Sequence, residues 1–137
     1  MFKKLFSSNK SVLSNAEVEA AMTTVDGVKL GESDDMLLYG GFQELNDYLF
    51  FEALFVSKKS FKTMDGATII FKSSKGDLTL PSSIQEFECE YAKPLQRHVA
   101  QVSFDIDKSG IKKIQAKSYD SVEFKVKKKV FNLLNVK

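Results

Sequence analysis

The sequence predicts a mainly β fold, with α+β as the neighbouring class: an antiparallel meander closed into a barrel or stacked as a two-layer sandwich. Three observations lead there. First, two segments alternate strictly, Val102, Phe104 and Ile106 against Gln101, Ser103 and Asp105, then Val122, Phe124 and Val126 against Glu123, Lys125 and Lys127. Successive strand side chains point to opposite faces, so each segment has one apolar and one wet face. Second, turn-forming residues separate most apolar segments by a few positions. Such short links join antiparallel neighbours, because parallel pairs need long crossovers. Third, phenylalanine occurs 12 times and tryptophan not at all. Phe suits strands and dry cores, since it carries no polar atom to satisfy. A barrel or a sandwich then hides the sheet edges.

The first element is a short helix at about residues 15–23. Ser14 and Glu17 have the spacing of a capping box, and Val18, Ala21 and Met22 fall on one helical face. Asp26-Gly27 suggests a turn and Val28–Leu30 a short strand. After the polar loop Glu32–Asp35, Met36–Phe42 reads as a strand whose end is weakened or bulged by Gly40-Gly41. Asn46-Asp47 makes the next turn. Tyr48–Val56 is apolar on both faces, as in a central strand or one lining a closed barrel. Asp65-Gly66, within 62–68, signals a tight type I′ hairpin with Phe61 and Ile69–Phe71 on its arms.

A second hairpin turns through Ser73–Asp77 and ends in Leu78–Leu80, where Pro81 stops the strand. Phe87, Cys89 and Tyr91 then alternate with Glu86, Glu88 and Glu90, giving another two-faced strand that Pro94 breaks. The long link between Ile106 and Val122 carries Ile111 and Ile114, spaced for a short helix near 108–116. Residues 1–13 are expected to form a flexible or loosely docked tail, and 14–137 a single β-rich domain.

A chain of 137 residues can bury a real core, and a hydrophobic fraction of 43% argues against disorder. The net charge of +2 hides a strong segregation. From Ser11 to Val56 nine acids face a single lysine, whereas from Lys108 to Lys137 nine lysines face two acids. Either the two regions face each other or sit on opposite ends of a solvated surface, or the lysines form a patch for an anionic partner. The small net charge favours the first reading, because it steers polyanions weakly.

Cys89 is the only cysteine, so neither an intramolecular disulfide nor a cysteine-based metal cluster is available. The basic start Met1–Phe6 is followed by polar Ser7–Ser11 rather than the apolar core of a secretory signal. No stretch approaches the roughly 20 apolar residues of a spanning helix. A soluble cytoplasmic protein is the expectation.

Asp105, Asp107, Ser109 and Gly110 have the opening spacing of a calcium loop. The pattern then fails, with Lys112 where an apolar residue belongs and Ala116 where a bidentate glutamate belongs. A helix cap by Asp107 or Ser109 is the better reading. Glu86, Glu88 and Glu90 form a candidate carboxylate ladder that would suit a divalent cation or acid–base work. Lys125, Lys127 and Lys129 have matching spacing and opposite sign, so cross-strand pairing worth about 0.2–1 kcal/mol per pair, or equally a solvated face, explains both ladders more simply. Together with Lys128, these lysines are the candidate anion or partner surface.

His98 is the only histidine. Its pairing with a Cys89 nucleophile is disfavoured, because Cys89 lies on an apolar face between two glutamates and reactive thiols need an electropositive setting. Phosphate-binding glycine loops are absent. Nucleic acid is a disfavoured partner, since Phe124 shares its face with Val122 and Val126 and not with the lysines.

No catalytic, cofactor-binding or metal-binding residue is assigned and no cofactor is implied. The leading expectation is a non-catalytic binding or assembly module, acting through a surface or an apolar cavity. Its partner would be another protein, a second copy or a small apolar ligand. The alternatives are a homo-oligomeric structural component and a binder of anionic partners through the C-terminal lysine strand. Whether Tyr48–Val56 faces an empty cavity or a filled core separates these ideas.

Overall fold

The structure is a computed structural model that describes residues 12–22 and 25–136. The expected tail over residues 1–13 lies mostly outside them. In chain order the elements are α1 (Asn15–Ala21), β1 (Val28–Glu32), β2 (Met36–Leu45), β3 (Tyr48–Ser57), β4 (Lys62–Thr63), β5 (Ala67–Lys72), β6 (Leu78–Pro81), β7 (Phe87–Glu88), β8 (Glu90–Ala92), β9 (Arg97–Asp105), α2 (Lys108–Gln115), β10 (Ser121–Val126) and β11 (Lys129–Leu134). The protein is mainly β; among the described residues there are two short α-helices, and every strand pairing is antiparallel.

One large sheet runs β6-β5-β10-β11-β1-β2-β3-β9-β8. It folds over into two facing layers. β1, β2, β3, β9 and β8 form one layer, and β6, β5, β10 and β11 the other. The layers are joined through a single register pair, Glu32 with Leu134. On the far side only an isolated bridge, Ser82 with Phe104, connects them. Pro81 ends β6 there, and a proline has no N–H to extend a ladder. The sheet does not close into a barrel, so the sandwich alternative holds. The meander is local to β1–β3, because the β10–β11 hairpin inserts between β5 and β1.

The inner faces meet in aromatic rings. Phe55 of β3 stacks on Phe124 of β10 with centroids 4.0 Å apart, and Phe51 meets Phe71 edge-on at 5.6 Å. All four are fully buried. The inner face of Tyr48–Ser57 therefore fills a core rather than lining a cavity. Gly40 is needed for this packing: a Cβ there would fall 2.3 Å from the Phe51 ring. The register across Gly40 and Gly41 stays regular, and the bulge lies instead in β1, between Lys29 and Gly31.

The outer face of β2 and β3 buries a second, smaller apolar group, Leu37 and Val56, beneath Val18 of α1. The capping box of α1 forms as its sequence predicts. The Glu17 N–H donates to Ser14 Oγ at 3.1 Å, and the Ser14 N–H donates to Glu17 Oε1 at 2.9 Å. A polar network clamps this helix to the sheet. Buried Arg97 donates to the Leu13 carbonyl at 2.7 Å, and Asn15 donates to Glu32 at 3.2 Å. Lys29 bridges Glu32 at 2.6 Å and Glu19 at 3.0 Å. The Lys29 ammonium holds the Glu32 carboxyl below its ordinary range.

α2 begins at Asp107, whose carboxylate accepts the Gly110 N–H and the Ser109 hydroxyl, both at 2.8 Å. The capping reading of the calcium-like spacing thus holds, while Asp105 turns away to accept from Ser83 Oγ at 2.8 Å. Ile114 seals the end of the core beneath α2. Tyr119 is buried beside it, its hydroxyl donating to the Leu30 carbonyl at 2.9 Å, and burial pushes its pKa up to about 12.

Two expectations fail locally. Asp65-Gly66 does not join a hairpin, because β4 pairs with β7 and not with β5. Only Gly66 of the pair has a positive φ, whereas a type I′ turn requires two. Thr63 Oγ1 instead caps the loop, accepting from the Asp65 N–H and donating to the Gly66 carbonyl, both at 3.0 Å. The segment around Phe87, Cys89 and Tyr91 is also not one strand. It divides at Cys89 between partners β4 and β9. Tyr91 stands exposed and packs on the His98 ring, 5.0 Å away, rather than entering the core.

Candidate functional site

β10 and β11 are joined by the two-residue turn Lys127–Lys128, with Val126 opposite Lys129. Lys127 has a left-handed backbone, φ +55°, a conformation that Lys117 at φ +52° shares. L side chains there crowd the following carbonyl, at a cost of roughly 1–2 kcal/mol, and glycine or asparagine is the ordinary choice.

Lys127 lies where three surface grooves meet. The first, of about 550 Å³, has Phe61, Cys89 and Val126 on its apolar floor and Lys62, Lys127 and Lys128 among its walls. A second, of about 560 Å³, runs on past Met64, Glu86, Phe87 and Glu88. A third, of about 420 Å³, passes Gln85, Ser82 and Lys125. The short ribbon of β4 and β7 forms the opposite bank, because its two-residue strands swing Lys62 and Glu88 into register beside the turn.

The four lysines of the candidate surface are not equivalent. Lys125 lies 3.6 Å from Glu123 on its own strand, so its charge is compensated locally. The Lys129 ammonium donates to the Ser60 carbonyl at 2.5 Å. Lys127 and Lys128 are exposed and have no ion pair among the described residues. They are the open charges of the cluster, and Lys62 on the far bank adds a third.

The glutamate ladder is exposed, as its solvated-face reading expects, and does not pair with the lysine strand as the alternative reading requires. The break at Cys89 sends Glu90 to β8, while Glu86 and Glu88 line the groove mouths beside Lys127. No salt bridge joins these glutamates to the lysines among the described residues, so the groove presents both signs of charge at its rim. No group of three metal-ligating side chains occurs among the described residues.

Cys89 sits on the groove floor with its N–H donating to the Phe61 carbonyl at 3.2 Å. Burial raises its thiol pKa, which disfavours the thiolate. His98 is engaged with Tyr91, and no hydrogen bond joins it to Cys89 among the described residues. Phe61, Phe124 and Phe131, the aromatics nearest the lysine turn in sequence and register, are all buried.

Sequence reasoning selected the lysines but missed Lys62 and Phe61 on the opposite bank. Those residues reach the site through the β4–β7 pairing, for which a strand of two residues leaves no periodic signal. Among the described residues no helix is long and apolar enough to cross a membrane. No protein-family model, curated protein or solved structure matches the chain.

Proposed function

We propose that the protein is a non-catalytic binding module, and that its lysine-turn groove takes an acidic protein segment carrying an apolar anchor. The carrying observation is Lys127: a charged side chain held in a backbone conformation that costs stability, at the meeting point of three grooves. Gln96 and Lys117 have the same backbone angle but line none of these grooves, so the angle supports the reading only together with the open charge and the grooves that meet at Lys127. The apolar floor of Phe61, Cys89 and Val126 would receive the anchor, and Lys62, Lys127 and Lys128 its acids. Phe61 is buried and Phe87 half-buried, so the groove offers little face for base stacking, and Glu86 and Glu88 at its rim oppose a polyanion, which favours a peptide over nucleic acid.

The test is titration with a peptide of alternating Glu and Leu, beside poly-glutamate and a single-stranded oligonucleotide, followed by backbone amide NMR shifts. Binding of the mixed peptide with shifts at Lys62, Cys89 and Lys127–Lys129, lost in Lys127→Ala/Lys128→Ala, is the expected result. Tighter binding of the oligonucleotide, or no shift at low salt, would refute the reading.

A further inference from the structure

The far end of the sandwich carries a tip with the chemistry this groove would accept. β2 and β3 continue past their neighbours. The pairing of β1 to β2 stops at Gly40, and that of β9 to β3 stops at Phe50. The hairpin beyond is a two-stranded finger. Its turn residues Asn46 and Asp47 have φ of +52° and +70°, a pattern that meets the type I′ requirement.

Leu45 and Tyr48 stand directly opposite each other on one face of the finger, 57% and 71% exposed. A leucine–tyrosine pair this open is a ready apolar anchor. Asp47 lies in the turn beside the pair and Glu44 on the other face of the finger, and neither has a salt bridge among the described residues. The tip thus joins an exposed apolar pair to two open acids, whereas the first groove sets Lys62, Lys127, Lys128 and Lys129 against Glu88, an excess of positive charge around an apolar floor.

The two cannot meet within one chain. Tyr48 begins β3 and Ser57 ends it, a span of roughly 30 Å at the usual strand rise. The groove lies at the Ser57 end, where Lys129 reaches the Ser60 carbonyl. Finger and groove therefore face away from each other at opposite ends of the sandwich.

We infer that the Leu45–Tyr48 finger of one copy docks in the Lys127–Lys128 groove of a second copy, head to tail. This rests on the groove being a binding site and names its occupant. Because the two surfaces differ, the contact is heterologous and each docked pair keeps one free finger and one free groove, so association continues into open chains or rings. Its charge component weakens as salt screens it.

Sedimentation velocity of four samples tests this: wild type, a finger variant Leu45→Lys/Tyr48→Lys, a groove variant Lys127→Glu/Lys128→Glu, and the two variants mixed. All substitutions are at exposed turn or tip positions, and amide NMR spectra check the fold of each. Wild type is expected to form species larger than dimers that shrink as salt rises from roughly 50 to 500 mM. Each variant alone is expected to be monomeric, with self-association weakened about tenfold or more. The mixture is expected to stop at a one-to-one dimer, since one intact finger and one intact groove remain between the two variants.

Monomeric wild type at all concentrations would overturn the inference, and so would association that survives the finger substitutions. In either case, peptide binding that still requires Lys127 and Lys128 would leave the groove reading standing. Loss of both would remove the two together.

Discussion

The two ends of the sandwich are each finished by a two-residue turn, and the turns solve the same backbone problem differently. At Asn46–Asp47 both residues adopt left-handed angles, and both are residue types whose short polar side chains tolerate them. At Lys127–Lys128 a long cationic side chain occupies the left-handed position. Ease of turning does not account for that choice, since glycine or asparagine would turn the chain at lower cost. The contrast separates a turn whose residues suit its backbone from one whose lysine does not, and the proposed groove gives that lysine a use.

Charge divides the molecule in the same way. Around α1, Lys29 is satisfied by Glu19 and Glu32 within the chain. At the two turns, Glu44, Asp47, Lys127 and Lys128 have no ion pair among the described residues. The first arrangement holds a helix in place. The second leaves complementary charge outward at opposite ends.

Both turns hang from one core, which sets the largest expected effect. Phe124→Ala empties space against Phe55, Phe61 and Phe131 and is expected to cost about 3–5 kcal/mol in urea denaturation. A much smaller loss would mean the layers are not locked through these rings, and the ends could then not be compared as parts of one rigid body. Next comes the exchange of chemistry between the turns. Asn46→Lys/Asp47→Lys is expected to lower stability by about 1–2 kcal/mol, importing the strain of the lysine turn into the other. An unchanged urea midpoint would show that lysine is not penalised in such turns.

The acid response distinguishes satisfied from open charge. Lys29 holds the Glu32 carboxyl below its ordinary value of 4.5. A carboxyl lowered on folding adds stability that is present above its unfolded value and is lost as pH falls through the folded one. The protection of α1 amides against exchange, relative to the unfolded rate at the same pH, is therefore expected to fall below about pH 4.5 before that of the core strands. Glu17, lowered by the Ser14 N–H, contributes beside Glu32, and Glu32→Gln is expected to remove the Glu32 share. Equal loss of protection in α1 and β10 would contradict a local clamp.

How much of this was legible in the sequence follows the length of each repeating pattern. Val102–Ile106 and Val122–Val126 alternate over enough residues to mark their faces, and the structure places Val102, Phe104, Val122, Phe124 and Val126 in the core. Ser14 with Glu17, and Asp107 ahead of α2, announce helix starts through local hydrogen bonds that depend little on the rest of the chain. Asp65-Gly66 misled because turn propensity is local, whereas the partner of β4 is β7, more than twenty residues along the chain. The glutamate ladder misled because strict alternation at 86–91 conceals a change of partner at Cys89. The groove needs three separate segments brought together, and its lysines, Cys89 and the glutamates were visible beforehand only as separate features.

The claim that Lys127 is kept for its side chain is tested most directly by measuring Lys127→Gly twice, once for stability and once for binding of the mixed Glu and Leu peptide. The account predicts that the urea midpoint rises, by up to about 1 kcal/mol in stability, while peptide affinity falls. A lower midpoint with unchanged affinity would contradict it, since the lysine would then serve the turn and not the groove.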